Sequence, residues 1–182
     1  MGLRGTVQEW EASTSPTYSG HNYTTTYTDV EAAQKDENGY NWTWDKSTDV
    51  NGIVKADEQT RYPAFYWASH DPYNVGFGKW YFPAIGEIIK VFDKLAKKKE
   101  VKGQIITFEK KVDVITNAFT NAGGTDPLQT RFWSSTLYHS TGFTSPIVSY
   151  KNGPDESDIT VRPQGAQKNN LGYVYTFPFV RF

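Results

Sequence analysis

An apolar stripe that begins just after Pro83 constrains this chain more than any other feature. Ile85, Ile88, Ile89, Phe92 and Leu95 recur at the spacing of one helix face, and such a face needs a packed partner along its length. A helix is therefore predicted directly after Pro83. A second is predicted over residues 108–122, with Phe108, Val112, Ile115 and Phe119 on one side. Gly123-Gly124 would stop it, because glycine takes the left-handed cap conformation easily. A shorter helix fits residues 58–69, with Pro63 near its first turn and His70-Asp71-Pro72 at its end.

From Phe132 onward the pattern changes to strands. Residues 147–150, 159–162, 173–175 and 178–182 are separated by turns rich in Gly, Pro and Asn. Residues 6–48 are polar, with strand-like alternation at 23–27 and again at 40–44, on either side of the turn chemistry of Asp36-Glu37-Asn38-Gly39. Helices followed by a strand-dominated second half predict an α+β fold. Residues 1–182 read as a single domain, with a polar, strand- and loop-rich part over 1–49.

Composition narrows the partners. A formal net charge of -1 over 182 residues offers no basic face for phosphates, so no nucleic acid is expected. Lys94, Lys97, Lys98 and Lys99 read as the solvated last turn of the helix after Pro83. There is no cysteine, which removes disulfides, thiolate zinc sites and cysteine nucleophiles together. No run approaches the ~18 apolar residues of a membrane span, and the first residues do not read as a signal peptide, so no direct membrane insertion is expected. Aromatic residues make up 16% of the chain against 21% charged. Rigid rings among Ser, Thr, Asn and Gly suit recognition loops, and the same rings also serve to fill a β-rich core.

Several segments together carry a resemblance. They are Gly78-Lys79-Trp80-Tyr81-Phe82-Pro83-Ala84-Ile85-Gly86-Glu87-Ile88, then Gly123-Gly124-Thr125, Phe132-Trp133-Ser134-Ser135-Thr136 and the terminal Pro178-Phe179-Val180-Arg181-Phe182. In order and spacing, residues 50–182 resemble a bacterial family of C-type lectin-fold domains. Its members occur in surface adhesins and fimbrial tip proteins of gut bacteria, and as variable proteins diversified by retroelements, phage receptor-binding proteins among them. The resemblance implies a C-type lectin-like fold, two helices packed on a small twisted antiparallel sheet with long loops. It also implies a cell-surface, extracellular or virion-surface location.

Under the resemblance, Trp80, Pro83, Gly86, Glu87, Trp133, Ser134, Ser135, Pro178 and Phe182 form the structural frame. The ligand-binding candidates are Leu137, Tyr138, His139, Ser140 and Phe143, joined by Asn169, Asn170, Tyr173 and Tyr175. The chain departs from the family at Phe177, where an arginine is common, and in a longer segment over 150–167. The disulfides and calcium-ligand signatures of animal C-type lectins are missing, so no cofactor or metal is expected.

Other chemistry reads as structural. His21, His70 and His139 share no metal-ligand spacing. Ser134 and Ser135 lack the Gly-x-Ser-x-Gly context of a nucleophile and fit a role in satisfying backbone groups beside Trp133. Glu87 stands without the paired carboxylate that glycoside hydrolysis needs, and is expected to tie down loop amides. Asp155, Glu156 and Asp158 read as a solvated loop rather than a calcium site. The formylglycine-generating enzymes share the broad fold but depend on cysteines. The expected function is non-enzymatic recognition of a surface protein or glycan. The alternatives are a structural fimbrial or phage subunit that uses the fold for assembly, and a hydrolase built on Glu87 or the 155–158 cluster.

Overall fold

The computed structural model describes residues 5–8, 10–11, 24, 26–70, 72, 76, 78–95, 97–102, 105–109, 117, 120–124, 131–140, 143–151, 158–163 and 174–182. Four helices precede most of the strands: α1 (Val30–Gln34), α2 (Gly39–Trp44), α3 (Pro63–Ser69) and α4 (Ile85–Leu95). The strands are β1 (Thr6–Val7), β2 (Lys79–Tyr81), β3 (Lys97–Lys102), β4 (Ile105–Glu109), β5 (Arg131–Ser140), β6 (Phe143–Lys151), β7 (Asp158–Pro163), β8 (Val174–Thr176) and β9 (Phe179–Arg181). The class is α+β.

The main sheet is larger than expected, with seven strands in the order β1-β8-β5-β6-β7-β4-β3. It is also mixed, because β5 and β8 run parallel through Arg131↔Val174 and Phe132↔Tyr175. A separate ribbon pairs β2 with β9, so Lys79–Tyr81 lies against Phe179–Arg181 near the end of the chain.

The stripe after Pro83 forms α4 as predicted, with Ile85, Ile88, Ile89 and Phe92 buried. Pro63 is the first residue of α3 and His70 caps it, so that helix begins later than residue 58. Three expectations are corrected. Residues 40–44 form a helix, because Gly39, Trp42 and Thr43 bury one face at helical spacing. Lys97–Lys99 lie in β3 instead of a last helical turn. Phe108 and Glu109 belong to β4, paired with Ile159 and Asp158 of β7. Asn117, Thr120 and Asn121 are helical and Gly123 follows at φ 75, the left-handed stop expected of it, while Val112, Ile115 and Phe119 lie outside the described residues.

Two apolar clusters form the core. Val30, Ala33, Tyr81, Ile85, Ile88, Phe92, Tyr138, Phe177 and Phe179 make the first. Trp10, Trp42, Tyr62, Phe65, Phe82, Trp133 and Leu137 lead the second, joined by edge-on contacts such as Phe65–Phe82 at 4.8 Å. Both clusters draw on residues from either side of position 50. Over 1–49 the described residues form α1 and α2 besides β1, and several of them contribute to the core.

Candidate recognition site

The site predicted from sequence sits on a frame, and the frame is built on the amide donors at the start of α4. A helix start leaves its first N–H groups without partners inside the helix. Here the Ala84 N–H donates to Glu87 Oε2 at 2.7 Å, reaching back as in a capping box. The Ile85 N–H donates to Thr136 Oγ1 at 2.9 Å, and the Gly86 N–H to the Asp36 carbonyl at 2.8 Å. Asp36 gathers the rest: its Oδ2 accepts from Trp42 Nε1 and from the Thr136 hydroxyl, each at 2.8 Å, and its Oδ1 accepts from the Asn38 N–H at 3.0 Å. Gly86 has no room for a side chain, since a Cβ would meet the Asp36 backbone at 2.5 Å.

The Trp-Ser-Ser-Thr block is held by the same frame. The Ser135 N–H donates to the Pro83 carbonyl at 2.8 Å, and Trp10 Nε1 donates to the Ser134 carbonyl at 2.9 Å. Ser134 and Ser135 are fully buried, so they serve packing and backbone pairing. Glu87 ties down a loop amide as expected, and its Oε1 also accepts the Tyr81 hydroxyl at 2.8 Å. Burial pushes its carboxyl up to about 7, against these two donors. Burial and the Glu87 charge push the Tyr81 phenol up as well.

The structure divides the predicted binding residues. Leu137 and Tyr138 are core, 1% and 4% exposed, and this corrects their place on a binding surface. Successive residues of β5 point to opposite faces, and here both faces are covered. Tyr138 joins the first cluster and Leu137 the second. The frame assignment also fails at Phe182, which is 90% exposed.

His139, Ser140 and Phe143 come together at the end of the β5–β6 hairpin, through His139↔Thr144 and Ser140↔Phe143. Among the described residues, β5 and β6 pair only with each other at this end, since β7 pairs with β6 from Ile147 onward. Its base is held where the Tyr27 N–H donates to the Leu137 carbonyl at 3.1 Å. Tyr175 lies elsewhere. It pairs with Phe132, seven positions down β5 from His139, a separation of roughly 20 Å along a strand. It is half-buried against the first cluster, with its ring 6.4 Å from that of Phe177. Asn169, Asn170 and Tyr173 lie outside the described residues, as do Asp155 and Glu156.

Sequence reasoning missed a second buried polar node. Tyr62 donates to Asp49 Oδ2 at 2.6 Å, and the Asn51 N–H to its Oδ1 at 2.8 Å. Lys55 is fully buried, and its Nζ donates to Thr48 Oγ1 at 2.9 Å. Burial drives its ammonium down to about 8, although the Asp49 charge opposes this. The Arg61 guanidinium covers the Tyr62 ring at 5.1 Å, and Glu11 lies 3.9 Å from Arg61 Nε. Only Asp49 and Tyr62, thirteen residues apart, hint at this in the sequence, and nothing in their spacing marks a pair.

Among the described residues, no group of three or more His, Cys, Asp or Glu is placed to hold a metal ion, and no helix is long and apolar enough to cross a membrane. No protein-family model, curated protein or solved structure matches this chain.

Proposed function

We propose that the chain is a non-enzymatic recognition domain of the C-type lectin-like type, an adhesin or receptor-binding module that meets a surface protein or glycan. The observation that carries this reading is the end of the β5–β6 hairpin. His139, Ser140 and Phe143 are placed beyond the last core residues, Leu137 and Tyr138, where among the described residues β5 and β6 pair only with each other. The frame around α4 supports the same reading. The glycine-led segment, the Trp-Ser-Ser-Thr block and the terminal strand, distant in sequence, are tied to one another through Thr136, Pro83 and the β2–β9 pairing. A rigid base under polar and aromatic positions at a hairpin end suits recognition by pre-organisation.

The rival reading is assembly into a fimbrial or phage structure by strand addition. The outer strands of the sheet disfavour it. One edge, β1, is two residues long, and the other, β3, carries four lysines in Lys97–Lys102. Short and lysine-rich edges resist pairing with another chain.

The test is binding of the purified chain to glycan and surface-protein arrays, with calcium and with chelator, beside the double variant His139→Ala/Phe143→Ala. Binding should survive chelation and be lost in the double variant, which should unfold at the parent's urea midpoint. Unchanged binding in the variant would remove the hairpin end from the site. Self-association with no captured partner would favour assembly.

A further inference from the structure

Helix α3 is amphipathic in an unusual sense. Ala64, Phe65, Ala68 and Ser69 face the core, fully or nearly fully buried. The neighbouring stripe is Pro63, Tyr66, Trp67 and His70, at positions i, i+3, i+4 and i+7, with His70 exposed and Trp67 half-buried against the second cluster. An outward stripe is ordinarily charged; this one is made of rings. Together with Gln8, Gln59 and Pro72 it lines a cleft of about 300 Å³, at the lower end of the range for small-ligand pockets.

The rings are pre-set. Tyr66 and His70 stack with centroids 4.0 Å apart and an interplanar angle of 23°. His70 Nδ1 lies 2.8 Å from the Tyr66 carbonyl, which only accepts, so Nδ1 carries the proton and donates. In the neutral ring Nε2 is then an acceptor, and no described residue partners it. The cleft therefore offers ring surface, one fixed imidazole, and two amides that both donate and accept. Among the described residues that line it, none is an Asp, Glu, Lys or Arg.

Each property restricts the ligand. The described lining carries no charge that would draw a phosphate, a carboxylate or an ammonium group out of water. Purely apolar ligands would leave the amides and imidazole unpaired. A small, partly open cleft suits one ring better than an extended peptide, which rises about 3.1 Å per residue in the polyproline form. What remains is a compact ligand with an apolar face and a rim of hydroxyls. Aromatic faces are electron-rich and attract positively polarised groups, as the C–H bonds on one face of a pyranose are. Its hydroxyls both donate and accept, matching Gln8, Gln59 and His70.

We propose that this cleft is a binding site for an uncharged sugar ring, packed on the Tyr66–Trp67 surface and hydrogen-bonded by Gln59, Gln8 and His70. The site shares no residue with the hairpin end and needs no metal ion.

The experiment titrates the full chain with glucose, galactose, mannose and the N-acetylated forms of the first two. The readout is the indole N–H resonance of Trp67, assigned by its loss in Trp67→Phe. At least one sugar should shift it saturably, with chelator present. Gln59→Ala and His70→Ala, both at exposed positions, should each weaken that sugar up to about tenfold, the effect of one lost hydrogen bond. His139→Ala/Phe143→Ala should leave it unchanged, so failure of the cleft and failure of the hairpin-end reading are told apart. The proposal is overturned if no sugar moves the Trp67 signal, if both cleft variants bind as the parent does, or if a proline-rich peptide saturates the signal and the sugars do not.

Discussion

The node around Asp36 and the node around Lys55 are both buried and both organised by an aspartate, yet they differ in reach and in charge. Asp36 joins Trp42, Asn38 and Thr136 to the start of α4, including one bond across 100 residues of sequence. Every donor there is matched to an acceptor, so the node acts as a clamp between distant segments. The hydrogen bonds of the Lys55 node are local. Thr48, Asp49, Asn51, Lys55 and Tyr62 lie within a short stretch of chain, and its central cation is disfavoured by the burial around it. A satisfied long-range network specifies how segments meet. A buried cation is weaker evidence for stability, because desolvation offsets its attractions.

The contrast is broken most directly at Asp36. Asp36→Ala would strip the Trp42 indole N–H and the Thr136 hydroxyl of their acceptor inside the core, besides the Asn38 amide. The expected loss is at least about 4 kcal/mol, a large share of the stability of a domain this size. Asp36→Asn keeps one carbonyl oxygen and should lose markedly less. Urea unfolding followed by tryptophan fluorescence checks both, and equal, small losses would show that the clamp does not hold the fold.

A smaller effect should come from pH. Glu87 has its carboxyl raised from the usual 4.5 to about 7, so the folded chain holds a proton that the unfolded chain has released. Its contribution is full below pH 4.5 and is lost as pH rises through 7, by at most roughly 3 kcal/mol. The urea midpoint should therefore fall between pH 4.5 and 7, and Glu87→Gln should flatten that slope. A slope unchanged in the variant would assign the titration to another group.

How much of this was legible in the sequence follows from which signals were local. The α4 stripe and the Gly123 stop depend on spacing and backbone freedom, and both appear where expected. Residues 40–44 were misread because Tyr40, Trp42 and Trp44 alternate as in a strand while Tyr40 and Trp44 also stand four apart. The choice was made by distant partners: Trp42 on Asp36, and Trp44 Nε1 on the Trp80 carbonyl at 2.8 Å. Leu137 and Tyr138 looked like surface because they follow the frame block. Yet Trp133 to Tyr138 are buried without a break, since the strand is covered on both faces, and a run of that kind carries no period-two signal. The α3 cleft was present as the spacing of Pro63, Tyr66, Trp67 and His70. Its concavity depends on Gln8, which no local pattern brings near.

The smallest effect, and the sharpest test of the contrast, is expected from Lys55→Met. Methionine fills a similar length without a charge. Asp49 would keep its bonds from Tyr62 and Asn51, and the Thr48 hydroxyl would still donate to the Asp45 carbonyl at 2.7 Å. Among the described partners no group would lose its last hydrogen bond, so the change should cost far less than Asp36→Ala, about 1 kcal/mol or less. The pH profile supplies the second arm. With its folded pKa depressed from 10.5 to about 8, Lys55 makes stability rise with pH above 8, because only the unfolded chain still binds the proton there. Urea midpoints measured from pH 7 to 10 should show that rise in the parent and lose it in Lys55→Met. A destabilisation above about 3 kcal/mol would instead make Lys55 a clamp like Asp36, and the two nodes would then differ only in reach.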